Sequence, residues 1–202
     1  MIKRIFDFIS SLIGLVLLLP VLLITALAIK INSSGPVFYL AKRVGKNGRI
    51  FTMYKFRTMV INADKIGGPS TPIDDPRLTK IGKTLKKFQL DELPQLINVL
   101  IGDMSLVGPR PEVPFYVDMM TKEEKEIILS IRPGMTDLAS LWNFHEGNIL
   151  KGSVDPEKTY QEKIRPEKIR LQIKYVKERT FFVDLTIIKK NCTKGIQIKL
   201  RN

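Results

Sequence analysis

From Phe8 to Ile29 the chain runs for 22 residues without a charged side chain, with Lys3 and Arg4 ahead of the run and Lys30 directly after it. At about 1.5 Å per residue a helix of that length reaches about 33 Å, enough to cross the hydrocarbon core of a bilayer. The run is too long for the apolar part of a cleavable signal peptide, and no small-x-small cleavage site follows it. It is therefore expected to stay attached and sit in the membrane. Pro20 falls near its middle, where a missing backbone donor and a clash with the carbonyl four residues back predict a kink. A kinked spanning helix is one reading. The other follows from the basic residues at both flanks, which the positive-inside bias would hold on one side, so that the segment enters and leaves a single leaflet. The residues alone leave both open.

At 202 residues the chain has room for one domain with a real core. Its 33 Lys and Arg against 20 Asp and Glu give a net charge of +13, which favours anionic partners: nucleic acid, acidic lipid headgroups or phosphorylated substrates. Base recognition has no support from a zinc, RRM or helix-turn-helix signature. A single cysteine, Cys192, excludes an internal disulfide and suits a reducing compartment.

Beyond the apolar run the chain reads as α+β, mostly helical with a small β-hairpin. Val37–Leu40 and Ile50–Met59 are rich in β-branched and aromatic residues, and Gly45-Lys46-Asn47-Gly48 supplies the turn between them. Alternation places Lys55 and Arg57 on one strand face. Residues 62–79, with Gly67-Gly68-Pro69 and Asp74-Asp75-Pro76, read as a mobile surface loop. Thr84–Phe88 predicts a helix that carries Lys86 and Lys87 towards an acidic pair, Asp91-Glu92. Leu93, Leu96, Ile97 and Leu100 then fall on one helical face, with Asp91 at the N-cap position, Pro94 in the first turn and Gly102 as the stop. An acidic pair at a helix start is most simply a cap. Two carboxylates followed by the rigid Gly108-Pro109-Arg110-Pro111 turn also suggest phosphate chemistry. His145 reads as a polar loop residue, and Trp142 and Phe144 as core or lipid-interface aromatics. Residues 156–179 read as a solvated helix face, and Phe181–Lys190 as an amphipathic helix that either lies on the membrane or joins the core.

Several strings occur in one order: Tyr54-Lys55-Phe56-Arg57-Thr58-Met59, Leu90-Asp91-Glu92-Leu93-Pro94-Gln95, Gly102-Asp103-Met104-Ser105, the Gly-Pro-Arg-Pro turn, and Arg132-Pro133-Gly134-Met135-Thr136. Together with the N-terminal apolar run they resemble the bacterial sugar transferases of the monotopic phosphoglycosyl transferase class, over nearly the full chain. The chain departs from the usual pattern at Leu19-Pro20, where many members have Ser-Pro. It also departs at Lys86, where members often have Arg, and at Asp137 and Ser140, where many have Gly and Gln.

The resemblance implies an enzyme that moves a phospho-sugar from a nucleotide sugar, expected to be a UDP-sugar, to a membrane polyprenol phosphate, releasing the nucleoside monophosphate. It implies a re-entrant membrane segment over residues 1–32 broken at Pro20, and a catalytic domain over 33–202 on the cytoplasmic face of the bacterial inner membrane, beside an anionic bilayer. Asp91 is then expected as nucleophile, Asp91 and Glu92 as ligands of Mg²⁺, and Lys55, Arg57, Lys86, Arg110 and Arg132 as phosphate-binding residues. Asp103 is expected either near the metal or as a helix-end turn residue. A carboxylate nucleophile splits such a transfer into two displacements, and cations offset the repulsion between two polyanionic substrates. Nucleic acid is not expected as a partner. The rival from the residues alone is a membrane-tethered basic binding module, without catalysis and with no role for the acidic pair.

Overall fold

The structure is a computed structural model and describes residues 2–68, 70–143 and 146–200. In chain order the elements are α1 (Ile2–Asn32), β1 (Phe38–Val44), β2 (Ile50–Phe56), α2 (Lys80–Lys87), α3 (Gln95–Ile101), β3 (Ser105–Val107), α4 (Pro114–Asp118), α5 (Lys122–Ile128), β4 (Gly134–Thr136), α6 (Leu138–Trp142), α7 (Glu146–Ile149), α8 (Pro156–Thr159), α9 (Arg165–Glu178) and α10 (Phe181–Leu200). The fold is mostly helical α+β, as the sequence predicts.

The apolar run forms one helix of 31 residues, and Pro20 lies inside it without dividing it. The helix–break–helix expected at Pro20 is therefore replaced by one continuous helix. A proline removes one donor and leaves the carbonyl four residues back unpaired, but bonds on either side can carry a helix through. Helix α1 lies along the rest of the molecule from end to end. Asp7, Ser11, Thr25 and Ile29 are buried on one side of it, Gly14 faces Leu96, and Leu22 and Ala26 pack with Phe56 and Leu85. The opposite face, including Phe8, Leu12, Val16, Leu19, Leu23 and Leu27, is exposed and apolar. At the start of α1, Arg4 donates to the carbonyls of Val99 and Leu100, and Asp7 accepts from the Ser105 hydroxyl (2.8 Å) and the Leu106 N–H (3.1 Å). These polar contacts satisfy the last carbonyls of α3 and stitch the start of α1 to β3.

Strands β1 and β2 pair antiparallel from Phe38↔Phe56 to Val44↔Ile50. Asn47 and Gly48 turn the chain with φ of 57° and 76°, the left-handed region in which Asn and Gly are least strained. The strand ends at Phe56, three residues short of the predicted Met59. Strands β3 and β4 form a short parallel pair, Ser105↔Gly134 and Val107↔Thr136, which the sequence did not suggest. A Cβ on Gly134 would lie 2.1 Å from the Gly108 nitrogen, so only glycine allows the two backbones to approach this closely. That approach sets the Gly-Pro-Arg-Pro turn against β4.

Helix α3 ends at Gly102 with φ 96°, as predicted. It begins at Gln95 with Pro94 at its N-cap, so Asp91 does not cap it. Leu96 and Val99 are buried, but so are the polar Gln95 and Asn98. The Asn98 amide accepts from the Tyr54 N–H (2.9 Å) and donates to the Thr52 carbonyl (2.7 Å), pairing α3 with β2. The loop over 62–79, expected to be mobile, is tied from within. Buried Arg77 pairs with Asp75 and donates to the carbonyls of Ala63, Gly68 and Ser70. The segment 156–179, expected as a solvated face, contributes buried Tyr160, Ile164, Lys168, Ile169, Gln172, Tyr175 and Val176. Polar residues at helical spacing hide a stripe when they meet partners inside the fold. Helix α10 docks through buried Ile187 and Asp184, the latter accepting from Tyr175 Oη (2.6 Å) and pairing with Lys3 (2.5 Å), while Phe182 is exposed.

Candidate active site

The chain leaves α2 through Gln89, which adopts a left-handed conformation with φ 55°, and closes a single 3₁₀ turn over Leu90–Glu92. This turn presents Asp91 and Glu92 to a cleft of about 1320 Å³ that Lys55, Arg57, Lys86 and Arg110 also line. Lys55 comes from the end of β2, Lys86 from the last turn of α2, and Arg110 from the loop after β3.

Glu92 gathers the cations. Its Oε1 accepts from Lys55 Nζ at 3.0 Å and from the Arg110 guanidinium. Burial works against its charge, yet Arg110 and Lys55 outweigh it and hold the carboxyl far below the usual carboxylate range. Asp91 differs. It is 6% exposed, and no hydrogen bond to a described residue holds its carboxylate. Burial and then the neighbouring Glu92 charge push it up to about 6, against the pull of Lys55, Lys86 and Arg110. Burial also lowers the Lys86 ammonium to about 8, opposed by Asp91. The two carboxyls thus occupy opposite electrostatic settings one residue apart. Glu92 is fixed and fully charged. Asp91 makes no hydrogen bond to a described residue, and its carboxyl is held above the usual range.

Arg110 is set by more than its prolines. Its N–H donates to Asp137 Oδ2 (3.3 Å), its guanidinium to the Met135 carbonyl (3.3 Å), and its carbonyl accepts from Gln172 (3.3 Å).

Not every expected phosphate-binding residue is used this way. Arg57 lines the cleft, but its guanidinium is buried and donates to the Ser33 carbonyl (3.0 Å), the Ser33 hydroxyl (2.8 Å) and the Ser34 carbonyl (2.5 Å). It clamps the exit of α1. Arg57 follows the last residue of β2, so strand alternation does not govern where it points. Arg132 is exposed and donates to the Gly102 carbonyl (2.8 Å), serving the end of α3 outside the cleft. Asp103 does not line the cleft either. Trp142 does, while His145 and Phe144 lie outside the described residues.

The sequence reading missed a second polar centre in the same cleft. Lys168 pairs with Glu112 at 2.5 Å and donates to Tyr160 Oη at 3.0 Å, and Tyr160 in turn donates to Glu112 at 3.2 Å. Burial opposes the Glu112 charge, but Lys168, Arg43 and the Tyr160 hydroxyl lower its carboxyl below the usual range. The available signal was spacing: Ile164, Lys168 and Gln172 recur every four residues along the buried stripe.

Among the described residues no group of three or more His, Cys, Asp and Glu side chains comes together. A divalent cation would therefore rely on Asp91 and Glu92, with water and substrate phosphates completing the shell. Mg²⁺ is commonly held in this way. An unpartnered carboxylate beside a second one fits that role.

The chain is similar to several known proteins. A UDP-N-acetylgalactosamine-undecaprenyl-phosphate N-acetylgalactosaminephosphotransferase of Aeromonas hydrophila is 43% identical over 142 residues, covering 69% of this chain and 34% of that protein. The exopolysaccharide production protein PSS of Rhizobium leguminosarum is 37% identical over 198 residues, 92% of this chain and 90% of the relative. A UDP-glucose:undecaprenyl-phosphate glucose-1-phosphate transferase of Escherichia coli is 33% identical over 96% of this chain and 40% of its own length. The chain thus spans about a third of the Aeromonas protein. Residues 1–197, which include both carboxylates and every cation facing them, match the family described as bacterial sugar transferase, and the chain belongs to that family.

Proposed function

We propose that the chain transfers a sugar 1-phosphate from a UDP-sugar to undecaprenyl phosphate, with Asp91 as the nucleophile. An Asp91 oxygen attacks the phosphorus that carries the sugar, the bond from that phosphorus to the bridging oxygen breaks, and UMP leaves. A phosphate oxygen of undecaprenyl phosphate then attacks the same phosphorus, freeing Asp91 and giving the sugar-bearing undecaprenyl diphosphate. Lys55 and Arg110 offset negative charge on the phosphoryl oxygens in both displacements. Glu92 holds these two cations in place. Mg²⁺, when bound at Asp91 and Glu92, would offset charge on the donor diphosphate.

The observation that carries this reading is the buried Asp91 carboxylate, unbonded, pushed up to about 6 and faced by Lys55, Lys86 and Arg110. A nucleophile needs an uncommitted carboxylate that is ionised near neutral pH, and a structural cap needs a bonded one. The membrane reading rests on α1. Its whole length packs on the domain while its outer face is apolar, so we place residues 1–32 in the cytoplasmic leaflet and residues 33–202 at its surface, where a polyprenol headgroup is within reach.

The test is a reaction with UDP-sugar alone. UMP should appear in a burst no larger than one per active site and leave a phospho-sugar on the peptide containing Asp91, labile to hydroxylamine. Asp91→Asn should fold and form no adduct. Absence of adduct from the unaltered protein, with kinetics that require both substrates bound together, would replace this scheme with direct attack by undecaprenyl phosphate.

A further inference from the structure

Past Arg110 the cleft continues onto a wall made by β4 and α6, which the two displacements do not use. Arg110 fixes where this wall stands. Its guanidinium, already on Glu92, donates to the Met135 carbonyl, and its N–H donates to Asp137. Thr136 lies between those two contacts, so it stands within one arginine side chain of the acidic pair. Asp137, fully buried, also caps α6 by accepting from the Ser140 N–H (2.7 Å) and the Ser140 hydroxyl (2.8 Å). The wall and the arginine loop are thereby locked together.

Two atoms on this wall lack partners. Thr136 Oγ1 and Asn143 Nδ2 are buried and make no hydrogen bond, although both residues line the cleft. Buried polar atoms of native folds are almost always paired, and an orphan calls for an explanation. Two orphans on one wall of one cleft call for a ligand with several hydrogen-bonding groups. Trp142 lines the same wall with its side chain part-exposed, a flat apolar surface between polar groups.

We propose that this wall is the subsite for the pyranose ring of the nucleotide-sugar donor, and that Thr136 and Asn143 read the ring's hydroxyl or acetamido substituents. The inference rests on the sugar-phosphate transfer proposed above. With the sugar-bearing phosphorus at Asp91 and its oxygens turned to Lys55 and Arg110, the glycosidic oxygen continues past Arg110 onto β4 and α6. The Asn143 amide donates to a hydroxyl or acetamido oxygen. The Thr136 hydroxyl can donate or accept, and the Trp142 ring meets the C–H face of the sugar.

The experiment measures steady-state UMP release from a panel of UDP-hexoses and UDP-N-acetylhexosamines by the full chain in lipid nanodiscs that carry undecaprenyl phosphate, for the unaltered protein and for Thr136→Val, Asn143→Ala and Thr136→Ser. Removing a hydrogen-bonding group from a site that reads hydroxyls should change the ratio of kcat/KM between two donors by at least about tenfold, while inhibition by UMP, which lacks the sugar, stays within about twofold. Thr136→Ser keeps the hydroxyl and should keep the original ratio. Should Thr136→Val fail to fold, Asn143→Ala reads the same wall independently. Variants that slow every donor alike, or that weaken UMP, overturn the inference and leave the transfer reading intact. An unaltered protein that releases UMP from none of the donors overturns the transfer reading itself.

Discussion

The Lys55 ammonium lies 3.0 Å from Oε1 of Glu92, the same oxygen that takes the Arg110 guanidinium. One carboxylate oxygen thus binds the end of a strand and a proline-flanked loop together, and leaves two cations facing the unbonded Asp91. Lys55→Ala or Arg110→Ala should lower turnover by at least about tenfold, since one charge-assisted contact in a partly dry site contributes on the order of 1.5–3 kcal/mol. Lys174→Ala, at an exposed position on α9, should leave turnover nearly unchanged. Equal losses at all three positions in a UMP-release assay would mean that charge acts only through bulk attraction to the membrane. Arg57→Ala should act differently. It removes the clamp on Ser33 and Ser34, so a thermal melt should show the loss before any change in KM.

The pH dependence follows from the acidic pair. Asp91 is raised to about 6 and must be ionised to attack, so kcat/KM for the donor should fall as pH drops through about 6. Lys86 favours the Asp91 charge, so Lys86→Gln should move this acidic limb to higher pH and Lys86→Arg should restore it. A pH–rate profile of each variant checks both. No movement would remove Lys86 from the site. The profile reports values that belong to the coupled carboxyls together.

Stability carries the opposite sign. A carboxyl whose folded value is raised binds its proton more tightly when folded, so its favourable contribution is complete below the unfolded value near 3.8 and is lost as pH rises through about 6. Asp91→Asn removes that unpaired charge. It should raise the melting temperature more at pH 8 than at pH 5, while abolishing adduct formation. A uniform loss of stability at both pH values would show that the Asp91 carboxylate is a structural group.

Lys168 is buried against Glu112 and Tyr160, so its neutralisation is not a neutral change. Lys168→Met leaves Glu112 unpaired in the interior and should cost about 3–5 kcal/mol of stability, whereas Lys168→Met with Glu112→Leu should recover part of it. Chemical denaturation in detergent measures both. Equal losses in the single and double variants would show that packing, and not pairing, holds this centre.

Both ends of α1 pack on one body, through Arg4 and Asp7 at its start and Ile29 and Ser33 at its finish. The proposed placement in one leaflet therefore predicts that residue 2 and Cys192, which is exposed, are labelled from the same side of sealed vesicles. Ile2→Cys in a Cys192→Ser background supplies the first site and the native cysteine the second. Labelling from opposite sides would establish a spanning helix.

What could be read in the amino-acid sequence was set by neighbours in the chain. The uncharged run to Ile29 makes a long helix, Asn47-Gly48 makes a hairpin turn, and Gly102 stops α3, because each rests on local sterics or on hydropathy alone. The acidic pair and the Arg110 turn stood out differently, as members of an ordered set of strings that resembles a family, since the pair by itself reads as a cap. Tertiary structure alone decided which charges face the cleft. Lys55 and Arg57 look equivalent in sequence, yet the strand ends between them, and one meets Glu92 while the other is spent on Ser33. Arg132 belongs to a motif and serves a helix end. Lys168 resembles any solvated lysine until Glu112, 56 positions earlier, is brought against it. The parallel contact of Gly108 with Gly134 sets the Arg110 loop against Asp137 through backbones that only glycine lets approach. Such choices depend on partners far apart in the chain, whose meeting is fixed by packing and by the cost of leaving a buried polar group unpaired. No local pattern contains that information.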